Sequence, residues 1–195
     1  MVTINITPKM KNLAYEFSTD IIMQNNQYDR MRPTNIHNIN ERNTIRINRT
    51  YVGKLAELCF NEYLLANNIF LNIDDMFVIF EGQENVDDFD FYLPNSKTID
   101  VKAAVFNNHR NLVVPIDQYE NTPKNFYVGV KFNCPIKNND YRLIYKDTFS
   151  TANIVGFCTY EELKNKKTIN LGEFDCKAIL LNELTNIKML IDMFK

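Results

Sequence analysis

A change in hydrophobic periodicity at Asn67-Asn68 limits the folds open to this chain more than any other feature of its sequence. Before this point apolar residues recur at helical spacing, and after it they fall into short runs typical of β-strands. Residues 8–25 and 49–67 carry the helical pattern. The polar stretch between them, residues 25–48, is predicted to be a loop with at most one short helical turn.

The second part of the chain is predicted to be mainly β-structure. Candidate strands cover residues 76–80, 89–93, 98–104, 112–116, 126–132, 154–158 and 177–181. A capping-box pattern at Thr159 predicts a short helix ending near Lys166, and residues 183–194 read as a C-terminal helix with one apolar side. This order predicts an α/β fold in which a central, mostly antiparallel mixed sheet is flanked by helices.

Neither an internal repeat nor a linker divides the sequence, so we predict one domain over residues 1–195. Its helical part would reach to about residue 70, its sheet core would span about 71–181, and its C-terminal helix about 183–195. A chain of 195 residues is long enough to bury a hydrophobic core of its own.

Composition restricts the possible functions and compartments. The formal net charge of −2 argues against non-specific coating of nucleic acid by a basic surface, but a nuclease with an acidic metal site is compatible with it. The sequence contains no apolar run of about 20 residues and no signal-peptide pattern, so we expect no membrane partner. The four cysteines form no C-x-x-C pair, which favours reduced, buried thiols in a cytoplasmic protein.

Residues 98–104 contain the most informative motif, Asp100-Val-Lys102. Side chains two apart on a strand share a face, so Asp100 and Lys102 should project together. Ile99, Val101 and Ala103 should point the opposite way, into the core. A D-x-K triplet is common by chance, and an ordinary ion pair on an exposed strand is the alternative interpretation.

An acidic strand precedes this motif at hairpin distance. Asp90 lies on residues 89–93, and the turn signal Pro94-Asn95-Ser96 separates it from Asp100. Two carboxylates and an ammonium would then converge at one end of the hairpin. Oxygen ligands of this kind suit Mg²⁺, and a lysine beside the metal could orient an attacking water.

A third acid, Glu57, is embedded in the second predicted helix within Val52-Gly-Lys-Leu-Ala-Glu-Leu-Cys-Phe. A carboxylate at the edge of an apolar helix needs a partner. That partner is either Lys54, three residues earlier on the helix, or a metal bound at the hairpin.

Together, Gly-Lys-Leu-Ala-Glu57, Asp-Phe-Asp90-Phe and Ile-Asp100-Val-Lys102 resemble the PD-(D/E)xK superfamily, which includes restriction endonucleases and Holliday-junction resolvases. The likeness covers about residues 50–132. It implies a restriction-endonuclease-like core and Mg²⁺-dependent hydrolysis of DNA phosphodiester bonds, with Mn²⁺ as a substitute metal. The roles that it implies are metal ligation by Glu57, Asp90, Asp100 and the Val101 carbonyl, and catalysis by Lys102. Gln118 matches a catalytic glutamine that some branches carry after the following strand, and an ordinary loop residue is the alternative.

The sequence departs from this family's pattern at two points. Phe89 stands where a proline precedes the first aspartate, and Asp88 competes with Asp90 for that role. We prefer Asp90 because its strand continues directly into aromatic residues.

Other functions remain open at the level of sequence. An RNA-cleaving enzyme of the viral cap-snatching type would use an upstream histidine, for which His37 is the candidate. A non-catalytic nucleic-acid-binding or assembly module and a calcium or surface cluster are further alternatives. We expect DNA, ahead of RNA, as the nucleic-acid partner. The sequence is compatible with an intracellular enzyme encoded by a phage or virus. It is also compatible with a homodimer. The arginines of residues 30–49, with Tyr28 and Tyr51, could form a phosphate-contacting arm or a solvated loop.

Overall fold

The computed structural model describes residues 1–23, 36–79, 90–94, 96–172 and 174–194. Some sequence predictions fall outside these ranges. They concern Tyr28, Arg30, Arg32, residue 80, Asp88, Phe89 and Asn95.

Two long helices form the N-terminal part of the described chain, α1 (Pro8–Met23) and α2 (Ile39–Ala66). The prediction of a loop up to residue 48 is wrong for the described residues 39–48, which belong to α2. The Asn38 side chain caps this helix by accepting hydrogen bonds from the N–H groups of Asn40 and Glu41, and Ile45 is buried. Capping and burial therefore outweigh the weak helix propensity of the asparagines.

The described strands are β1 (Val2–Asn5), β2 (Phe91–Tyr92), β3 (Thr98–Ala104), β4 (Asn111–Pro115), β5 (Phe126–Phe132), β6 (Thr151–Thr159), β7 (Thr168–Asn170) and β8 (Asp175–Leu180). Five of them form a mixed sheet in the order β1-β6-β5-β3-β2, in which β3 and β5 are parallel and the other neighbours are antiparallel. A second, antiparallel sheet has the order β4-β8-β7. The predicted α/β class with a mixed sheet and helices is confirmed.

Three shorter helices complete the described elements, α3 (Ile116–Asn121), α4 (Tyr160–Lys164) and α5 (Ile187–Asp192). The capping box at Thr159 is present at the start of α4, as predicted. The C-terminal helix begins at Ile187, later than predicted, because the Asn186 side chain caps it there by accepting from the N–H of Lys188.

The strand predicted over residues 76–80 is wrong where the structure describes it. Residues Asp74–Phe77 form a 3-10 helix, in which Met76 is buried. The ring of Phe77 packs edge-on against Phe17 of α1, with the centroids 5.8 Å apart. The apolar residues of this segment are therefore explained by packing against α1 and not by membership of a strand.

The two faces of β3 meet different surroundings. Ile99 and Val101 belong to the main hydrophobic core together with the apolar side of α2. Tyr127 of β5, the neighbour of Asp100 in register, belongs to a smaller cluster with Leu112. The acidic side chain of β3 therefore lies on the face away from the main core.

All four cysteines are free and buried, which confirms the expectation of reduced, buried thiols. Among the helices of the described residues, none has the length and apolar character needed to span a membrane.

Candidate functional site

Asp100 and Lys102 form a close ion pair on the side of β3 that faces away from the main core. Their Oδ2 and Nζ atoms are 2.6 Å apart, and the side chains are 16% and 19% exposed. Ile99 and Val101 are buried, so the alternation predicted from the sequence places both charged side chains on the face opposite the core. The pair remains reachable from solvent while its flanking residues anchor the strand.

Gln118 reaches this ion pair from α3. The Lys102 ammonium donates a hydrogen bond of 3.0 Å to Gln118 Oε1. The chain turns from β4 into α3 at Pro115, whose fixed backbone geometry suits a helix start. Lys102 is therefore held between a carboxylate on its own strand and an amide on a separate element.

Asp90 lies immediately before β2 and is fastened to β3 by two hydrogen bonds. Its backbone N–H donates to the carbonyl of Ile99 at 3.0 Å, and its Oδ2 accepts from the N–H of Val101 at 2.7 Å. The carboxylate thus takes the place of a backbone acceptor at the point where the short strand β2 begins. This contact fixes Asp90 at the edge of the sheet.

Glu57 is buried on α2 and 7% exposed. Its Oε2 lies 2.7 Å from the ammonium of Lys54, so the ion pair that the sequence offered as an alternative is present. Lys54 also lies over the ring of Phe17, 5.3 Å from its centroid. Because both charges are largely buried, removal of either partner would leave the other charge unpaired and destabilise the fold.

The electrostatics of Asp90 connect the three acids. Its pKa is raised well above the usual value, first by burial and then by the negative charges of Glu57 and Asp100. The Lys54 ammonium and the hydrogen bond from Val101 N–H oppose this shift. Asp90 is therefore the shared neighbour of an acid on α2 and an acid on β3.

Each acid nevertheless has its own partner: Lys54 for Glu57, Lys102 for Asp100 and the Val101 N–H for Asp90. Within the described ranges, no three His, Cys, Asp or Glu side chains are grouped closely enough to hold a metal ion. The donor chemistry itself, all carboxylate oxygen, suits Mg²⁺. A cation bound by all three acids would compete with both lysines for them.

His37 is remote from Glu57. It precedes the helix cap Asn38, and the helical path from Ile39 to Glu57 is about 27 Å long at the usual rise per residue. A shared metal site of His37 and Glu57 is therefore excluded in this conformation.

Two members of the possible phosphate-contacting arm, Arg46 and Tyr51, are not accessible for that role and are not part of a solvated loop either. Arg46 is 3% exposed, and Tyr51 is fully buried and donates a hydrogen bond to the carbonyl of Lys146. Arg49 lies over the ring of Tyr141, 5.2 Å from its centroid. Burial within α2 explains why these residues do not form an extended arm.

Lys54 has a larger part in the site region than the sequence predicts. It is largely buried, pairs with Glu57 and also lowers the pKa of Asp90. Its spacing of three residues from Glu57 on a mostly apolar helix is the sequence signal for this role.

Comparison of the chain with protein-family models, curated proteins and solved structures finds no match.

Proposed function

We propose that this protein is a Mg²⁺-dependent endonuclease of the PD-(D/E)xK type that hydrolyses DNA phosphodiester bonds. The observation that carries the proposal is the position of the Lys102 ammonium, 2.6 Å from Asp100 Oδ2 and 3.0 Å from Gln118 Oε1. Asp90 is joined to the same strand through Val101. An acid pair and a lysine at the edge of a mixed sheet are the groups that this chemistry needs.

The residues of the site would have separate roles in metal binding and catalysis. Glu57, Asp90 and Asp100, with the Val101 carbonyl, would hold the metal. When bound, Mg²⁺ would supply an activated water and neutralise charge on the phosphate. Lys102 would orient the attacking water and add positive charge where negative charge develops.

Gln118 would restrain Lys102 by accepting its hydrogen bond, so that the ammonium keeps one orientation. The ion pair with Asp100 adds a second restraint. Preorganisation of this kind lowers the cost of placing the cation beside the reacting phosphate.

The restriction-endonuclease-like core is part of the same proposal. The mixed sheet, with α2 against the face that carries Ile99 and Val101, supports it. In this arrangement the helix contributes Glu57 and the sheet contributes the other acids.

One observation is also compatible with a second candidate, a non-catalytic module on the same fold that binds nucleic acid or serves in assembly. Every acid of the site is engaged by a partner within the protein, and the described residues contain no preformed three-ligand group. A protein that had kept these ion pairs for stability alone would have the same contacts.

Cleavage assays separate the two candidates. With Mg²⁺ or Mn²⁺ the purified protein should cut DNA, and chelation should stop it. Asp100→Asn and Lys102→Ala should each lower the cleavage rate by about a hundredfold or more. Lys97→Ala removes an exposed lysine from the same hairpin and should leave the rate unchanged.

Metal titration adds a second distinction. Asp100→Asn should bind metal weakly, whereas Lys102→Ala should bind it at least as tightly as the parent, because Asp100 loses a competing cation. If the parent cuts neither DNA nor RNA with any divalent metal, the non-catalytic module becomes the better description.

A further inference from the structure

A cavity lies between the first half of α2 and the chain segment 139–142. Its volume is about 300 Å³, at the lower end of the range for small-molecule sites. The N-terminal part of the chain contributes Ile36, Ile45 and Arg49 to the lining, and the segment contributes Asp140, Tyr141 and Arg142. Arg49 precedes Glu57 by eight residues, which is about 12 Å along the helix axis. The cavity is therefore separate from the acids described above.

The walls of this cavity are held in place by contacts outside it. The side-chain amide of Asn48 donates a hydrogen bond of 2.8 Å to the carbonyl of Tyr141, which joins the segment to α2. The Tyr141 ring packs edge-on against buried Phe106, with the centroids 5.0 Å apart. The Asp140 carboxylate accepts a hydrogen bond of 2.9 Å from the backbone N–H of Arg142. Because the walls are already ordered, a ligand would bind with little cost for arranging them.

The charges of the lining favour an anion. They are the guanidinium groups of Arg49 and Arg142 and the carboxylate of Asp140. Asp140 holds Nε and Nη2 of Arg142 at 2.9 and 2.7 Å, and Glu41, outside the lining, lies 3.2 Å from Nη1. A guanidinium has five N–H donors, so these contacts fix the orientation of Arg142 without using all of its donors. Guanidinium groups match phosphate in shape and charge.

The remaining surface of the cavity suits a flat ring. The Arg49 guanidinium carbon lies 5.2 Å from the centroid of the Tyr141 ring. Ile36 and Ile45 supply aliphatic surface beside them. Nucleobases stack on tyrosine rings and on guanidinium planes. The cavity thus combines donors for an anion with stacking surface for a base.

We propose that this cavity binds a single nucleotide, with its phosphate on Arg49 and Arg142 and its base against Tyr141 and the two isoleucines. The volume of about 300 Å³ limits the occupant to one nucleotide unit and leaves no room for a duplex. A free mononucleotide and the 5′-terminal nucleotide of a single strand present the same chemistry, and the test separates them. The inference goes beyond the proposed cleavage reaction and requires no metal.

The test is calorimetric titration of the full chain in EDTA with the 5′-monophosphates of adenosine, guanosine, cytidine and uridine. At least one of them should bind. The matching nucleoside and inorganic phosphate should each bind at least about tenfold more weakly, because each lacks one half of the ligand. Arg49→Met should weaken binding of the monophosphate about tenfold and binding of the nucleoside less. Tyr141→Leu should weaken binding of both about tenfold.

Arg110→Met and Tyr145→Leu are the matched controls. They remove the same groups from exposed residues that do not line the cavity, and both should leave nucleotide affinity unchanged. Equal losses in Arg49→Met and Arg110→Met would show a general effect of charge and overturn the proposal. Tyr141→Leu also removes the contact with Phe106, so its melting temperature is measured first. If it is unfolded, Arg49→Met decides the result.

A single-stranded oligonucleotide with a 5′-phosphate identifies the source of the nucleotide. If it binds at least tenfold more tightly than the monophosphates, and Arg49→Met removes this gain, the ligand is the end of a strand. Weaker or equal binding identifies a free mononucleotide. If neither the monophosphates nor the oligonucleotide bind at millimolar concentration, or if Arg49→Met binds them as the parent does, the proposal is wrong. Because EDTA is present throughout, this outcome leaves the metal-dependent cleavage reaction untouched.

Discussion

Asp90 and Val101 are eleven positions apart in sequence and joined by a hydrogen bond of 2.7 Å from the Val101 N–H to the Asp90 carboxylate. The strand that Asp90 precedes, β2, has two residues, so this side-chain contact extends the pairing beyond the strand itself. Asp90 therefore holds β3 through its side chain and lies beside the two other acids, Glu57 and Asp100.

The raised pKa of Asp90 predicts a pH dependence of stability in the absence of metal. Because the folded-state pKa lies above the unfolded value, the protonated acid favours the fold. The contribution is fully present below the unfolded pKa of about 4 and is lost as the pH rises through the folded pKa. Melting curves across this window should show the decline, and Asp90→Asn should reduce it.

Added Mg²⁺ should reverse this trend, since the metal binds the ionised carboxylate. The increase in melting temperature with millimolar Mg²⁺ should grow as the pH rises through the folded pKa of Asp90. It should be small at every pH in Asp90→Asn. A metal effect that does not vary with pH would show that Asp90 is not a ligand.

Lys54→Met should destabilise the metal-free protein. Glu57 would keep its buried charge without the ammonium now 2.7 Å away, a loss that typically costs about 3–5 kcal/mol. Mg²⁺ should recover part of this loss, so the rise in melting temperature with metal should exceed that of the parent.

Lys11→Met is the control for this change. The Lys11 side chain is 14% exposed, close to the 13% of Lys54, but its partner Asp147 is 81% exposed and can be solvated. Its substitution should cost about 1 kcal/mol or less and leave the metal effect unchanged. Equal losses in the two variants would contradict the importance of the buried Glu57 charge.

Gln118→Ala should test the restraint on Lys102. Without Oε1 the ammonium keeps Asp100 as a partner but loses its contact with α3. Misplacement of a catalytic group can cost about a hundredfold in rate, so we expect a reduced kcat with little change in metal affinity. Single-turnover cleavage rates measure this.

Glu120→Ala, an exposed position on the same helix, is the matching control and should cleave at the parental rate. If Gln118→Ala also cleaves at the parental rate, Gln118 has no part in the reaction.

Strand periodicity was sufficient to predict β3 and the shared face of Asp100 and Lys102. It could do so because Ile99 and Val101 alternate with them and supply a strong burial signal. The second half of α2 was predictable for a similar reason, since its apolar residues cover much of the helix surface.

The remaining features depend on contacts between distant parts of the chain. The first half of α2 is polar, and its helical state relies on the Asn38 cap and on contacts such as that of Asn48 with Tyr141. The buried state of Lys54 depends on α1, through the ring of Phe17. Sequence spacing could not reveal that the buried side-chain oxygen of Asn61 finds no hydrogen-bond donor among the described residues.

The parallel pairing of β3 with β5 has a further consequence for how the site forms. Parallel neighbours require a crossover, and here residues 105–125 make it, with Gln118 on the returning helix. The contact between Lys102 and Gln118 closes the first sixteen residues of this connection. Assembly of the lysine's environment is thus coupled to the formation of the crossover, and a spectroscopic probe at Gln118 would report when α3 has docked against β3.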